Sequence, residues 1–144
     1  MTVNDILKVK GRDVSTTSPD TAVIRIVERL RLERIGALVV SRDGKGVEGV
    51  ITERDIISAI AGHGPDALHS RARDVMTRWV RTCSPEDRVR DVMVEMTVRR
   101  VRHLPVVDHG QLCGIVSIGD VVKSRILELE HEMQAVHEYI THGR

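Results

Sequence analysis

The feature that most constrains this chain is an internal repeat, in which one sequence pattern occurs twice about 66 residues apart. The segment VSTTSPD at 14–20 aligns with VRTCSPE at 80–86. Each segment is followed, in the same order, by apolar residues at helical spacing, an apolar run, a turn and a second apolar run. A copy of about 60 residues buries only about 60% of its unfolded surface on its own. We therefore expect the copies to pack against each other about a pseudo-twofold axis, with a cleft between them.

The patterns within each copy predict a strand, a helix, two strands and a second helix. Ser18 and Ser84 are suitable N-caps and are followed by prolines, so we expect the first helix of each copy to begin there. These helices carry apolar stripes at spacings of three and four residues, formed by Val23, Ile26, Val27 and Leu30 and by Val89, Val92, Met93 and Met96. Apolar runs rich in β-branched residues predict strands at 35–40, at 101–107, and from Gly49 and Gly114 onward.

The predicted architecture is an α+β fold of two β-α-β-β-α repeats with pseudo-twofold symmetry and an extended C-terminal helix. We place the first repeat at residues 9–66, the second at 74–130 and the helical extension at 131–144. Residues 62–73 include glycine, histidine, proline, aspartate and serine, and this composition predicts a linker between the repeats.

A hydroxyl residue followed three positions later by aspartate occurs where the last strand of each copy meets the second helix. The pairs are Thr52 with Asp55 and Ser117 with Asp120. One interpretation is structural, because this spacing matches a helix capping box and the acids complement the helix dipole. The other is a ligand site, because a helix N-terminus and a hydroxyl suit a phosphate, and the carboxylate could accept both hydroxyls of a ribose. Both interpretations stay open at the level of sequence, and one motif could serve both.

Taken together, these motifs resemble those of a known family. They are similar to the motifs of a tandem pair of cystathionine-beta-synthase (CBS) domains, a Bateman module. The similar features are the paired Val-x-Thr…Ser-Pro-acid segments, the run Arg102–Asp108 and the two Gly-x-x-Thr/Ser-x-x-Asp motifs. The resemblance extends from about Val9 to Leu129. It implies a standalone signalling-type protein that binds an adenosine-containing regulatory ligand, such as AMP, ATP or NAD(H), between its repeats. It also implies a homodimer and no catalytic cofactor.

The same resemblance implies roles for individual residues. Asp55 and Asp120 would bind ribose hydroxyls, and Thr52 and Ser117 would lie near phosphate. The adenine would lie against the first and second strands of the copies, at Val14, Thr16, Val80, Thr82, Gly36, Ala37, Leu38, His103, Leu104 and Pro105.

Three polar residues near these motifs have two interpretations each. Arg54 and Arg102 flank the motifs and are candidate phosphate ligands, or they are solvated surface side chains. His103 either donates a hydrogen bond to a phosphate or is a partly buried side chain satisfied by the backbone.

Composition and residue spacing exclude several other functions. The 22 Lys+Arg nearly balance the 21 Asp+Glu, and aromatic residues are 1% of the chain, so we do not expect a nucleic-acid partner. The arginine-rich stretch 71–102 leaves DNA binding as a minor alternative. We expect neither an enzyme nor a metal site, because no general base, metal cluster or activated nucleophile occurs at a diagnostic spacing. Without an export signal or a long apolar segment, the protein is expected to be cytoplasmic, with no membrane partner.

The C-terminal region contains an apolar seam at alternating spacings of four and three residues. It consists of Val122, Ile126, Leu129, Met133, Val136 and Ile140. Such a seam suits a partner helix, but it would also suit packing against the chain's own domain. The main hypothesis is a nucleotide-sensing regulatory module with an unknown protein effector, and the alternative is an oligomerisation scaffold without a small-molecule ligand.

Overall fold

The two copies of the sequence repeat fold as two similar units in the computed structural model, which describes residues 1–142. The elements along the chain are α1 (Val3–Lys10), β1 (Thr16–Thr17), α2 (Val23–Glu33), β2 (Ala37–Val40), β3 (Gly49–Thr52), α3 (Glu53–His63), a 3-10 helix (Gly64–His69), α4 (Ala72–Val75), α5 (Val89–Arg99), β4 (His103–Asp108), β5 (Gln111–Ser117) and α6 (Ile118–His142). The α+β fold and the extended C-terminal helix are confirmed. The predicted boundaries 9–66, 74–130 and 131–144 stay a prediction, and residues 143–144 lie outside the described part of the chain.

Each repeat contains a small sheet. In the first, β1 pairs with β2 in parallel and β2 pairs with β3 antiparallel. In the second, β4 and β5 form the antiparallel pair. The strand that would correspond to β1 is reduced there to a single parallel bridge between Cys83 and Val106.

The apolar stripes predicted for α2 and α5 face the cores. Val23, Ile26 and Leu30 are buried in a cluster with β2, β3 and α3. Val89, Val92 and Met96 are buried in a cluster with β4, β5 and α6. Val27 and Met93 pack at the margins of the same clusters, so the predicted stripes are confirmed.

The predicted helix starts at Ser18 and Ser84 are wrong. Both serines begin a turn, in which their carbonyls accept hydrogen bonds from the amides of Thr21 and Asp87. The next residues remain extended, because Ala22 and Arg88 form antiparallel bridges with Arg71 and Thr2. The helices therefore begin only at Val23 and Val89.

A short helix precedes each repeat and packs on the other repeat. Val3, Ile6 and Leu7 of α1 are buried in the core of the second repeat. Ala72 of α4 is buried in the core of the first, with Val75 and Met76 at its margin. The segment predicted as a linker is therefore largely helical, and this exchange of helices joins the two repeats.

The faces of the two sheets that are turned away from these cores meet in a third apolar cluster. It contains Ala37, Val39 and Val50 of the first repeat, and Leu112 and Ile115 of the second pack against them. Because side chains alternate along a strand, Leu38 and Val40 point to the opposite face, into the core of the first repeat. The predicted contact between the repeats is therefore formed by alternate residues of the strands.

The C-terminal helix continues well past the second repeat. Val121 and Ser124 are buried, whereas every residue from Leu129 to His142 is exposed. The alternative in which the apolar seam packs on its own domain is therefore wrong within the described chain. None of the helices described is long and apolar enough to cross a membrane.

Candidate ligand site between the repeats

The first strand-to-helix junction has the geometry of a capping box. The Asp55 amide donates to Thr52 Oγ1 at 3.1 Å, and the Thr52 amide donates to Asp55 Oδ2 at 2.9 Å. The other carboxylate oxygen, Oδ1, accepts a hydrogen bond from the Thr77 hydroxyl at 3.2 Å. The Asp55 carboxylate thus joins the start of α3 to the segment that follows α4.

The second junction repeats the cap but has a different third partner. The Asp120 amide donates to Ser117 Oγ at 3.2 Å, and the Ser117 amide donates to Asp120 Oδ2 at 2.9 Å. The ammonium of Lys10, the last residue of α1, donates to the same Oδ2 at 2.6 Å. It also donates to the Ile115 carbonyl at 2.9 Å. An ion pair in the second repeat therefore replaces the neutral hydroxyl contact of the first.

The charge state of Asp120 reflects this environment. Burial acts to raise the pKa of the carboxyl group. The hydrogen bonds from Lys10 and from the Ser117 amide act in the other direction and prevail, so the pKa of Asp120 lies below its usual value. The carboxylate is ionised at neutral pH, which a ribose-binding acceptor requires.

His103 of the second repeat lies close to Gly36 and Glu53 of the first. A Cβ atom placed on Gly36 would lie 3.3 Å from His103 Cε1 and 3.7 Å from a carboxylate oxygen of Glu53. A side chain at this position would therefore require the imidazole to move by a few tenths of an ångström. Burial, together with the nearby charges of Lys10 and Arg102, lowers the pKa of His103. The imidazole is neutral at pH 7 and retains one donor and one acceptor nitrogen.

The predicted adenine-contacting residues divide between the contact region and the cores. Val14, Val80 and Ala37 belong to the apolar cluster between the repeats. Leu38 and Leu104 are 0% and 1% exposed, and their side chains lie in the cores of their own repeats. Those two leucines therefore offer a ligand only their backbone.

Strand register places two more predicted residues on the contact face. Thr16 is paired with Val39, and Pro105 is paired with Ile115. Paired residues on neighbouring strands share a face of the sheet. Thr16 and Pro105 therefore lie on the face that meets the other repeat.

The remaining predicted residues lie on the surface. Arg54 is in the first turn of α3, Arg102 directly precedes β4, and Thr82 precedes the bridge at Cys83. All three are exposed, and phosphate contact by the two arginines stays a prediction. Two shallow surface depressions lie elsewhere, one of them near the N-terminus of α1 and the other along α5. Within residues 1–142, no group of three or more metal-ligating side chains is present.

Sequence reasoning missed two residues of these junctions, Lys10 and Thr77. Lys10 ends α1 and Thr77 lies just after α4, and both are outside the repeated motifs. Leu7 contacts Gly114 as Met76 contacts Gly49, but alignment on these two residues pairs Thr77 with Lys8, so it would not have revealed Lys10.

The sequence and the fold of this chain match those of a known protein family. The sequence model of the CBS domain matches residues 2–62 and 72–126. The chain belongs to the CBS domain family. It is 34% identical over 150 residues to the mitochondrial CBS domain-containing protein CBSX3 of Arabidopsis thaliana, covering 99% of this chain and 73% of that protein.

Solved structures of CBS proteins share this fold. The CBS-domain containing protein ATU1752 from Agrobacterium tumefaciens has 43% sequence identity and a TM-score of 0.83, over 87% of this chain and 99% of that one. The CBS domain pair of protein MJ0100 was solved in complex with 5′-methylthioadenosine and S-adenosyl-L-methionine. It has 26% identity and a TM-score of 0.76, over 90% of this chain and 98% of that one.

Proposed function

We propose that this CBS domain pair is a non-enzymatic regulatory module that binds an adenosine-containing ligand between its repeats. The observation that carries the proposal is the pair of junctions, each with a hydroxyl, a helix N-terminus and an acceptor carboxylate. The proposal is supported by a CBS pair of the same fold whose structure contains two adenosine-containing molecules.

Each part of such a ligand has a chemically matched group in the chain. Asp55 and Asp120 accept hydrogen bonds from ribose hydroxyls, while Thr52 and Ser117 lie where a phosphate or another polar substituent would meet a helix N-terminus. The adenine lies against the apolar strand faces, beside His103. Arg54 and Arg102 are the cations proposed for phosphate groups, which would favour AMP, ATP or NAD(H).

The signal is proposed to pass to a protein effector through a change in the contact between the repeats. A ligand inserted between Gly36 and His103 would separate segments of the two repeats that now lie close together. Because α1 and α4 each pack on the opposite repeat, a shift at this contact would be transmitted to both units. We propose a homodimer in the cytosol as the active form, although one relative is named as mitochondrial.

A second candidate is a scaffold without a ligand, in which the hydroxyl–acid pairs only cap helices. The pair Thr2 and Asp5 favours it, because there too the amide of a hydroxyl residue donates to an acid three positions later, at 2.9 Å and away from the proposed site. The exposed seam of α6 would then be the functional surface.

A thermal-shift titration with AMP, ADP, ATP, NAD, NADH, S-adenosylmethionine and methylthioadenosine separates the two candidates. A ligand at about 100 times its dissociation constant adds about 2.7 kcal/mol of stability. We expect a shift with at least one of these ligands, lost in the double variant Asp55→Ala, Asp120→Ala. No shift with any of them, after mass spectrometry has excluded a co-purified ligand, would favour the scaffold.

A further inference from the structure

The exposed part of α6 carries a continuous apolar seam. Its six members are Val122, Ile126, Leu129, Met133, Val136 and Ile140. Their exposed fractions range from 40% to 73%. A helix side that exposes this much apolar surface in a single chain is typical of an interaction site.

The seam faces away from the body of the protein. The contacts of α6 with the body include those of Val121, which is fully buried, and of Ser124 and Glu128. Ser124 contacts the Met1 sulfur, and Glu128 accepts a hydrogen bond from the terminal ammonium at 2.7 Å. At 100° per residue, Ser124 and Glu128 lie on the side of the helix opposite to the seam, and Val121 lies on its flank. Every residue from Leu129 to His142 is exposed, so a partner could approach this part of the seam without displacing a contact of α6 with the body.

The residue types along the seam favour pairing of two helices. In heptad terms, Ile126, Met133 and Ile140 occupy a positions, and Val122, Leu129 and Val136 occupy d positions. A β-branched residue at a and leucine at d favour two-stranded coiled coils, and both types occur here.

The charged residues beside the seam distinguish the two possible orientations of an identical partner. With the seams aligned antiparallel, Glu130 would face Glu130 of the second copy, and Glu132 would face its own equivalent. In a parallel pair, each g position instead lies beside the next e position of the other helix. Glu132 would then lie beside His137 of the second copy, and Arg125 would lie beside Glu130 of the second copy. Like charges across the seam disfavour the first arrangement, whereas the second brings complementary groups together.

We propose that residues 122–140 of α6 form a parallel two-stranded coiled coil with the same segment of a second copy of this chain. Arg125 also pairs with Glu128 and approaches Glu132 at 4.0 Å on its own helix, so it would be shared between the helices. The interface does not use the contact between the repeats, so it does not depend on ligand binding.

Sedimentation equilibrium of the full chain and of two matched variants tests the interface. Met133→Glu puts a charge on the seam, and Gln134→Glu puts the same charge on the adjacent residue outside it. Both residues are exposed, so neither change disturbs the core. We expect a dimer for the wild type, a dimer for Gln134→Glu, and at least a tenfold weaker dimer for Met133→Glu. A wild type at the single-chain mass of 16.1 kDa would overturn the proposal, as would a dimer that Met133→Glu does not weaken.

Disulfide trapping tests the orientation. In a Cys113→Ser background, Val136→Cys would be adjacent to its equivalent in a parallel pair, but would lie opposite residue 126 in an antiparallel one. Mild oxidation is expected to produce a covalent dimer of Val136→Cys, and none of a control with His131→Cys on the outer side of the helix. A non-covalent dimer in which Val136→Cys does not cross-link would overturn the parallel arrangement.

Discussion

At the scale of single residues, the two repeats differ in what holds the equivalent carboxylate. Asp55 accepts from the neutral Thr77 hydroxyl, and Asp120 accepts from the Lys10 ammonium. If both carboxylates bind ribose, Asp120 must give up its ion pair with Lys10 to bind the ligand. The two halves of the site are therefore expected to bind the same ligand with different affinities.

Replacement of Lys10 by methionine is expected to raise the affinity for adenosine at one of two sites. Adenosine carries no phosphate, so the loss of the ammonium removes only a competitor for Asp120. The partly exposed ion pair between Lys10 and Asp120 is worth less than about 1 kcal/mol, which limits the gain to about fivefold. Isothermal titration calorimetry would measure it, with Lys8→Met on the same helix as control. Lower affinity in Lys10→Met would show that Lys10 helps to bind the ligand.

The buried imidazole of His103 is expected to make stability depend on pH. Its pKa is lowered in the folded state by burial and by Lys10 and Arg102, with Glu53 and Asp120 opposing them. The unfolded chain therefore takes up the proton first, and the contribution of this group is lost as the pH falls through the ordinary histidine range, near 6.5.

Urea unfolding at about pH 7.5 and about pH 5.5 would measure this effect. The free energy of unfolding should fall less for His103→Gln than for the wild type over this interval. His109→Gln is the control, because that side chain is 94% exposed. An equal fall in the free energy of unfolding of His103→Gln and the wild type would contradict the role of His103 in this pH dependence.

Only some contacts of the two junctions could be predicted from the sequence. The capping pairs Thr52–Asp55 and Ser117–Asp120 were visible as spacings, and the structure contains both. The contacts of Lys10 and Thr77 with these acids were not visible, because they join segments more than 20 residues apart. Alternation correctly predicts which strand residues share a face, but the apolar runs did not reveal that Leu38 and Leu104 face the cores.

At the scale of elements, the exchange of α1 and α4 depends on two glycines. A Cβ on Gly114 would lie 2.7 Å from the Leu7 side chain. A Cβ on Gly49 would lie 2.7 Å from both the Met76 sulfur and the Thr77 carbonyl oxygen. The clash at Gly114 is with the end of the flexible Leu7 side chain. The clash at Gly49 includes the backbone of Thr77, which is paired with Val50.

Gly49→Ala should therefore destabilise the protein more than Gly114→Ala. Over-packing costs about 1–3 kcal/mol, and we expect the upper part of this range for Gly49→Ala and the lower part for Gly114→Ala. Chemical unfolding of both variants would measure the difference, with Gly62→Ala as control because no atom lies within 4 Å of its added Cβ. A larger loss of stability in Gly114→Ala than in Gly49→Ala would mean that α4 adjusts more easily than α1.

The repeated helices were predictable from the sequence, whereas the short helix α4 was not. The buried stripes of α2 and α5 have a clear helical period, and their sequence positions were correct. The four residues of α4 are too few to show a period, so its segment resembled a linker. Both α2 and α5 end at an arginine in the left-handed region, Arg34 with φ 55° and Arg100 with φ 54°, where no glycine marked the end.

At the scale of the whole molecule, the two repeats are joined by shared apolar packing. Each core includes a helix from outside its own repeat, and a third cluster lies between the sheets. A ligand between the repeats would contact both of them at once. Binding there would therefore change the stability of the whole chain rather than that of one repeat.

The most direct test of the central claim is a calorimetric titration of ligand-free protein with AMP, ATP, NAD and S-adenosylmethionine. Three proteins would be compared: the wild type, the double variant Asp55→Asn, Asp120→Asn, and Asp5→Asn, which loses an equivalent cap at the far end of α1 from Lys10. At least one ligand should bind the wild type and Asp5→Asn equally. Its affinity should fall at least tenfold in the double variant, because each lost hydrogen bond to a charged acceptor costs about 1.5–3 kcal/mol. No binding of any ligand to the wild type, or binding that the double variant retains, would contradict the claim.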